Sequence, residues 1–224
     1  SFIINLEEDE ELIGVTVGIR DRNNSSSLSK VEDVTNLVQG NMLYWDVPEG
    51  LWCVNVIKTT SKGSGRPNYI NVIDKDAVRF FIDTVYEPHY IRLGKEFGKT
   101  IVGFFSDEPE IGNAMGYVHS AYIGQPDMPL PWCEELKSLL KEQWQENYAI
   151  NITSLWHGVE GISPIARLEF MDYVTQLYNK NFCTQIGDWC RNHGVEYIGH
   201  VIEDGGCHSR LGYGTGHFYR ALWG

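Results

Sequence analysis

The sequence predicts an α/β protein: part of a (β/α) barrel, preceded by a small antiparallel β-domain at the N-terminus. Three observations lead there. Residues 10 to 60 hold short runs of β-branched and aromatic residues separated by polar clusters; a stretch rich in Gly, Ser and Pro follows at 61 to 67; and beyond it the apolar residues recur in strand–helix–strand order. That order implies parallel strands covered by helices, because parallel neighbours need a crossover between them.

In the first part, Leu12-Ile-Gly-Val-Thr-Val-Gly-Ile19 and Leu51-Trp-Cys-Val-Asn-Val-Ile57 read as antiparallel strands. Asn23-Asn-Ser-Ser-Ser27 is a polar loop, and Val47-Pro-Glu-Gly50 is a turn in which Pro sets one φ and Gly permits a positive one. Ser61-Lys-Gly-Ser-Gly-Arg-Pro67 reads as a linker. After it, Asp74 is an N-cap, and Val78, Phe81, Ile82, Val85, Tyr86, Tyr90, Leu93 and Phe97 fall at helical spacing, with Pro88 expected to kink or split the helix. Ile101 to Phe105 reads as a fully buried strand. From 110 to 163 the chain is punctuated by Gly and Pro and reads as an insertion beyond a strand end, with one amphipathic helix over 132 to 147. A longer helix over 165 to 192 ends at Gly194, and Glu196-Tyr-Ile-Gly-His-Val-Ile-Glu203 follows as another buried strand.

The expected division is therefore 1–60 as a β-rich accessory or inserted domain and 61–224 as part of a barrel domain, with the insertion at 110–163. About three barrel strands are visible against the eight that close a ring, so such a piece should leave apolar surface uncovered. An open doubly wound sheet is the alternative arrangement. The opening Ser-Phe-Ile-Ile, without an initiating Met, fits a piece of a longer parent chain.

Composition narrows the function classes. With 42% hydrophobic and 21% charged residues over 224 positions, the chain is that of a globular protein. A formal charge of -12 argues against nucleic acid as partner, since a phosphate backbone demands clustered Lys and Arg. No apolar run is long enough for a membrane span, so no membrane partner is expected. Cys53, Cys133, Cys183, Cys190 and Cys207 form no CxxC pair and are odd in number, which reads as free thiols and favours a reducing compartment such as the cytoplasm. An extracytoplasmic place for a longer parent chain stays open. Asn24-Ser-Ser and Asn151-Ile-Thr match glycosylation sequons, a pattern frequent by chance.

In parallel α/β folds the chemistry gathers at the carboxyl ends of strands. Two acidic pairs stand at such ends: Asp107-Glu108 before Pro109, and Glu203-Asp204 before Gly205-Gly206. Pro109 holds Glu108 extended. Hydrolysis of a glycosidic bond needs two carboxyl groups, one to protonate the departing oxygen and one to act as nucleophile or to activate water. Strands lie about 4.8 Å apart, so carboxylates on adjacent or next-adjacent ends fall in the roughly 5–9.5 Å range that this chemistry uses. Glu108 and Glu203 are the catalytic candidates, with Phe104 and Phe105 expected to desolvate Glu108 as suits a general acid. The same residues also read as a solvated turn and a plain loop start.

Asn68-Tyr-Ile-Asn-Val-Ile-Asp through Phe97-Gly-Lys-Thr-Ile-Val-Gly-Phe-Phe-Ser-Asp-Glu-Pro, preceded by Trp45-Asp-Val-Pro-Glu-Gly-Leu-Trp52 and followed by Gly199-His200 and Glu203-Asp204, resembles the large bacterial glycoside hydrolases of the α-L-rhamnosidase-like type. The resemblance covers most of residues 42 to 220. Asp-Glu-Pro also resembles the Asn-Glu-Pro that marks the acid/base glutamate of retaining barrel glycosidases. The resemblance implies that Glu108 is the general acid and Glu203 a second active-site carboxylate. It also implies calcium dependence and inversion, with Glu203 binding the ion or orienting substrate if the base lies further along the parent chain.

Asp107, Asp204, His200 and His217 are candidates for substrate hydrogen bonding, and Trp132 and Trp156, expected to be exposed in the insertion, for sugar stacking. No transition-metal site is expected, because His200 and Glu203 are an odd number of residues apart and a regular strand sends them to opposite faces. Two other classes remain: a non-catalytic carbohydrate-binding or interaction module working through the β-rich part, and a metal-assisted hydrolase built on His200, Glu203 and His208. Sugar, linkage and stereochemical outcome are not legible.

Overall fold

The computed structural model describes residues 1–24, 26–62, 69–107, 109, 123–124 and 129–200. In chain order its elements are strands β1 (Phe2–Ile3), β2 (Leu12–Arg20), β3 (Ser27–Asp33), β4 (Val38–Gln39), β5 (Met42–Leu43) and β6 (Trp52–Lys58), helices α1 (Lys75–Phe81) and α2 (Glu87–Leu93), strand β7 (Gly103–Asp107), helices α3 (Glu134–Trp144) and α4 (Tyr148–Thr153), strand β8 (Gly158–Val159), helices α5 (Ser163–Leu177) and α6 (Gln185–Asn192), and strand β9 (Glu196–His200). The chain is a mixed α/β protein, and no closed barrel is present among the described residues.

Two compact units are formed. The first comprises Ser1–Gly63, Tyr122–Pro129 and Lys137–Phe170; the second comprises Ser64–Ala121, Leu130–Leu136 and Met171–Gly224. Sequence reading drew one boundary at 61, whereas the first unit recruits a segment from the expected insertion.

The reason lies in β2. It is the second strand of a sheet ordered β6-β2-β3-β8, antiparallel to β6 and β3, while β8 adds to β3 in parallel. Alternation gives β2 two different faces. Val15 and Val17, fully buried, point with Trp52, Val54 and Val56 of β6 into a cluster with Ile4, Val34 and Leu43. On the other face, Gly14 comes so close to α4 that an added Cβ would stand 3.0 Å from the Ala149 Cβ. Two residues on, Thr16 Oγ1 lies 2.7 Å from Thr153 Oγ1 of α4. Thr153 donates to the Ala149 carbonyl at 3.0 Å, so Thr16 is the donor between them and in turn accepts from Asn55 Nδ2. A buried hydroxyl left unpaired costs roughly 1–3 kcal/mol, and this chain of donors satisfies each group. Glycine and threonine at alternate positions of an otherwise apolar strand were the trace that α4 left in the sequence.

The end of α4 is latched to α5. Ser163 Oγ donates to the His157 carbonyl at 2.9 Å and accepts from Val159 N at 2.6 Å, while Arg167 donates to the carbonyls of Ser154 and His157. Trp144 Nε1 and Gln143 Nε2 both donate to the Glu169 carboxylate, at 2.6 and 2.9 Å.

In the second unit Asp74 caps α1 by accepting from the backbone N–H groups of Asp76 and Ala77, as the sequence indicated. The expected kink or split at Pro88 takes a milder form: the chain stays helical from 75 to 93, Pro88 stands in the first turn of α2, and residues 82–86 before it widen into one π-helical turn. Proline gives no N–H to the turn behind it and its ring crowds that turn, so the wider loop relieves both. A second π-helical turn, 178–184, separates α5 from α6 within the expected long helix. Gly194, with φ of 72°, ends α6 in the left-handed conformation and turns the chain into β9.

β7 and β9 pair in parallel from Gly103↔Glu196 to Asp107↔His200. Both strands were expected to be fully buried, and this is corrected: Phe105 is 58% exposed and Ile198 62%. Helices cover one face of the pair, and among the described residues nothing covers the other.

His157 supplies a test of the first unit. Its Nδ1 is buried with no partner among the described residues, and burial, then the nearby Arg20 charge, hold its pKa below the ordinary 6.5. The unfolded chain takes up the proton first, so this stabilisation is complete above 6.5 and is lost as pH falls from there toward the folded value. The urea midpoint should therefore drop more steeply between about pH 7.5 and 5.5 in the wild type than in His157→Gln, the histidine range. Parallel pH profiles for the two proteins would remove His157 from the acid response.

Candidate active site

Alternation in β7 and β9 sorts the candidates. Phe104, Ser106 and Tyr197 take the helix-covered face. Phe104 sits with ring centroids 4.7 Å from Tyr86, 5.9 Å from Phe97 and 5.9 Å from Trp189, and Trp189 Nε1 donates to Glu87 Oε1 at 2.8 Å. Ser106 Oγ and Tyr197 OH are 2.6 Å apart, and burial pushes the Tyr197 hydroxyl up to about 12. Glu87 thus anchors the ring that anchors the strand.

The open face carries Phe105 and Asp107 from β7 and Glu196, Ile198 and His200 from β9. Two of the expected site residues meet there. Asp107 Oδ1 lies 3.3 Å from His200 Nδ1, with both side chains mostly exposed. The Phe105 and His200 rings meet edge to face, 5.5 Å between centroids and 75° between planes. Phe105 is the residue that sequence reasoning misplaced. It was expected to desolvate Glu108 together with Phe104, but adjacent strand residues face opposite ways, and only Phe104, half-buried, packs under the helices. The signal was available: Phe105 and Asp107 are two apart.

Glu108, Glu203, Asp204 and His217 lie outside the described residues, as do Cys207 and His208. Trp132 and Trp156 are each half-buried instead of exposed. Gly124 lies against the Trp156 indole so closely that an added Cβ would enter the ring. Trp132 is seated through its carbonyl, which accepts from Asn71 Nδ2 at 2.7 Å, and its Nε1 is buried without a partner among the described residues.

Cys53, Cys133, Cys183 and Cys190 are free thiols. Burial pushes Cys183 and Cys190 up to about 11, which keeps them protonated and unreactive at neutral pH. Calcium needs six to eight oxygen ligands. Among the described residues no group of three or more His, Cys, Asp or Glu is arranged to hold a metal. No described helix is long and apolar enough to cross a membrane. Comparison with protein-family models, with curated proteins and with solved structures returned no match.

Tyr197→Phe removes the partner of Ser106 on the covered face. It should lower unfolding free energy by about 0.5–1.5 kcal/mol in urea, the net worth of such a bond. An unchanged midpoint would mean that the hydroxyl contributes nothing to holding β7 on β9.

Proposed function

We propose that the second unit is part of the (β/α) barrel of a glycoside hydrolase, which cleaves O-glycosidic bonds with a carboxylate pair and resembles the α-L-rhamnosidase-like enzymes. The observation that carries this reading is the in-register parallel pair β7–β9, covered by helices on one face and bearing Asp107 and His200 side by side at its carboxyl end. In barrels of this class the covered face is the outside, the bare face looks into the ring, and the carboxyl ends of the strands surround the substrate. The step from that pattern to glycosidase chemistry rests on the resemblance of the sequence segments.

In this reading Glu108, directly after Asp107, is the general acid that protonates the departing oxygen, and Glu203 is the second carboxylate. The remaining strands of the ring belong to the parent chain, and the substrate is a carbohydrate. The β-rich unit serves as an accessory domain. A flat aromatic face there would favour a binding module, but Trp45 and Trp52 meet edge to face at 78° and are partly buried. Converging imidazoles would favour a metal-assisted hydrolase; of the three residues that reading uses, His200 is described, and Glu203 and His208 lie outside the described residues.

The test is made on a chain that carries the whole barrel. Glu108→Gln should lower turnover of glycosides with poor leaving groups by about 10²–10⁴-fold, the usual contribution of a positioned proton donor. Nitrophenyl glycosides, whose leaving group needs little protonation, should lose far less. Equal losses on both substrate types with a lowered melting temperature would assign Glu108 to structure, and full activity would remove it from the mechanism.

A further inference from the structure

β6 is an edge of the sheet ordered β6-β2-β3-β8, and its backbone directions are fixed by its bonds to β2. Arg20 N donates to the Leu51 carbonyl and Thr59 N to the Glu11 carbonyl, each at 2.9 Å, so at odd positions from 51 to 59 the backbone groups point at β2. By alternation Trp52, Val54, Val56 and Lys58 point theirs the other way. Among the described residues none of these outward N–H or C=O groups has a hydrogen-bond partner. The edge also lacks the devices that close one, which are shortness, charge, proline or a covering element. The other edges of that unit's two sheets, β1, β4 and β8, are two residues long, whereas β6 has seven. Trp52 to Ile57 include no Pro and no charged residue, and Lys58 at the end is paired with Glu10.

We propose that β6 is a self-association edge: two copies of this chain join β6 to β6, antiparallel about a two-fold axis at Asn55, into one continuous sheet. The strand is complementary to its own reverse. Centred on Asn55, the pairing sets Val54 opposite Val56 of the second copy and Trp52 opposite its Lys58. These are the residues whose backbone groups face outward, so each completes a hydrogen-bonded pair. Moving the centre to Val54 or Val56 would leave Lys58 or Trp52 without a mate in the strand. On one face the valines extend the layer that already packs on Val15 and Val17, and the Trp52 ring meets a lysine, an attractive pair. On the other face Cys53 lies opposite Ile57 and Asn55 opposite Asn55, so no like charges are brought together. This interface belongs to the β-rich unit and does not depend on the glycosidase reading.

Amide hydrogen exchange on the unmodified 224-residue chain, read residue by residue by mass spectrometry, reports the edge directly. Between about 1 µM and 1 mM protein, the range of weak to moderate association, sedimentation should show monomer passing to dimer. With that change the amides of Trp52, Val54 and Val56 should slow by about tenfold or more, while those of Cys53, Asn55 and Ile57 stay slow throughout. Each copy carries a formal charge of -12, so added salt should favour the dimer. Asn55→Cys in a Cys53→Ser background should give a 55–55 disulfide under mild oxidation, because directly opposed residues of an antiparallel pair lie within disulfide reach. Asn55→Asp, which sets two carboxylates face to face, should weaken the dimer by about tenfold at low salt while the dilute monomer keeps its melting temperature. A monomer over the whole range, outward amides as slow in dilute as in concentrated protein, or a dimer that salt dissociates would each overturn the proposal. So would a dimer that Asn55→Asp leaves intact and that forms no link at 55.

Discussion

The register of β7 against β9 is the constraint on which the second unit depends. Side chains alternate along a strand, so a slip of one residue exchanges the two faces entirely. In the observed register Phe104 enters the aromatic cluster of Tyr86, Phe97 and Trp189, and burying a phenylalanine is worth roughly 1.5–3 kcal/mol. The slipped strand would expose that ring and drive Asp107 under the helices, where an unpaired carboxylate costs several kcal/mol. Both terms act in the same direction. The Glu87–Trp189 hydrogen bond and the Ser106–Tyr197 contact then give the covered face its polar partners.

The first unit obeys the same rule with different side chains. β2 carries valines on one face and Gly14, Thr16 and Gly18 on the other, and the second set suits close approach and hydroxyl pairing instead of bulk. α4 occupies that space. The chain therefore builds its β-rich unit from two stretches far apart in sequence, joined by a Thr16–Thr153 bond spanning 137 residues.

Local signals in the sequence were read well because their causes are local. Asp74 as a cap, Pro88 as an interruption, Gly194 as a stop and the antiparallel strands expected over 12–19 and 51–57 each follow from the chemistry of a few neighbouring residues. Burial was read less well, because it depends on what lies across a face and not on the strand itself. Phe105 and Ile198 are as apolar as core residues, and only the absence of a described covering layer separates them from Phe104. Of the candidate site, Asp107 and His200 do come together, which spacing alone had not indicated, since they are far apart in the chain and meet through strand order. Trp132 and Trp156 were expected in the open because their segment is punctuated by Gly and Pro, yet Gly124 is the residue that lets Trp156 be covered.

The register of β7 and β9 puts Phe104 and Phe105 on opposite faces: one packs beneath the helices, the other lies on the open face beside His200. Hydroxyl-radical footprinting read by tandem mass spectrometry separates these two adjacent residues in the unmodified protein. Phe105 should be oxidised at a rate near that of an exposed phenylalanine such as Phe80, with Phe104 protected at least tenfold. Equal oxidation of the pair, or protection of Phe105 with Phe104 reactive, would contradict the register and the open face together.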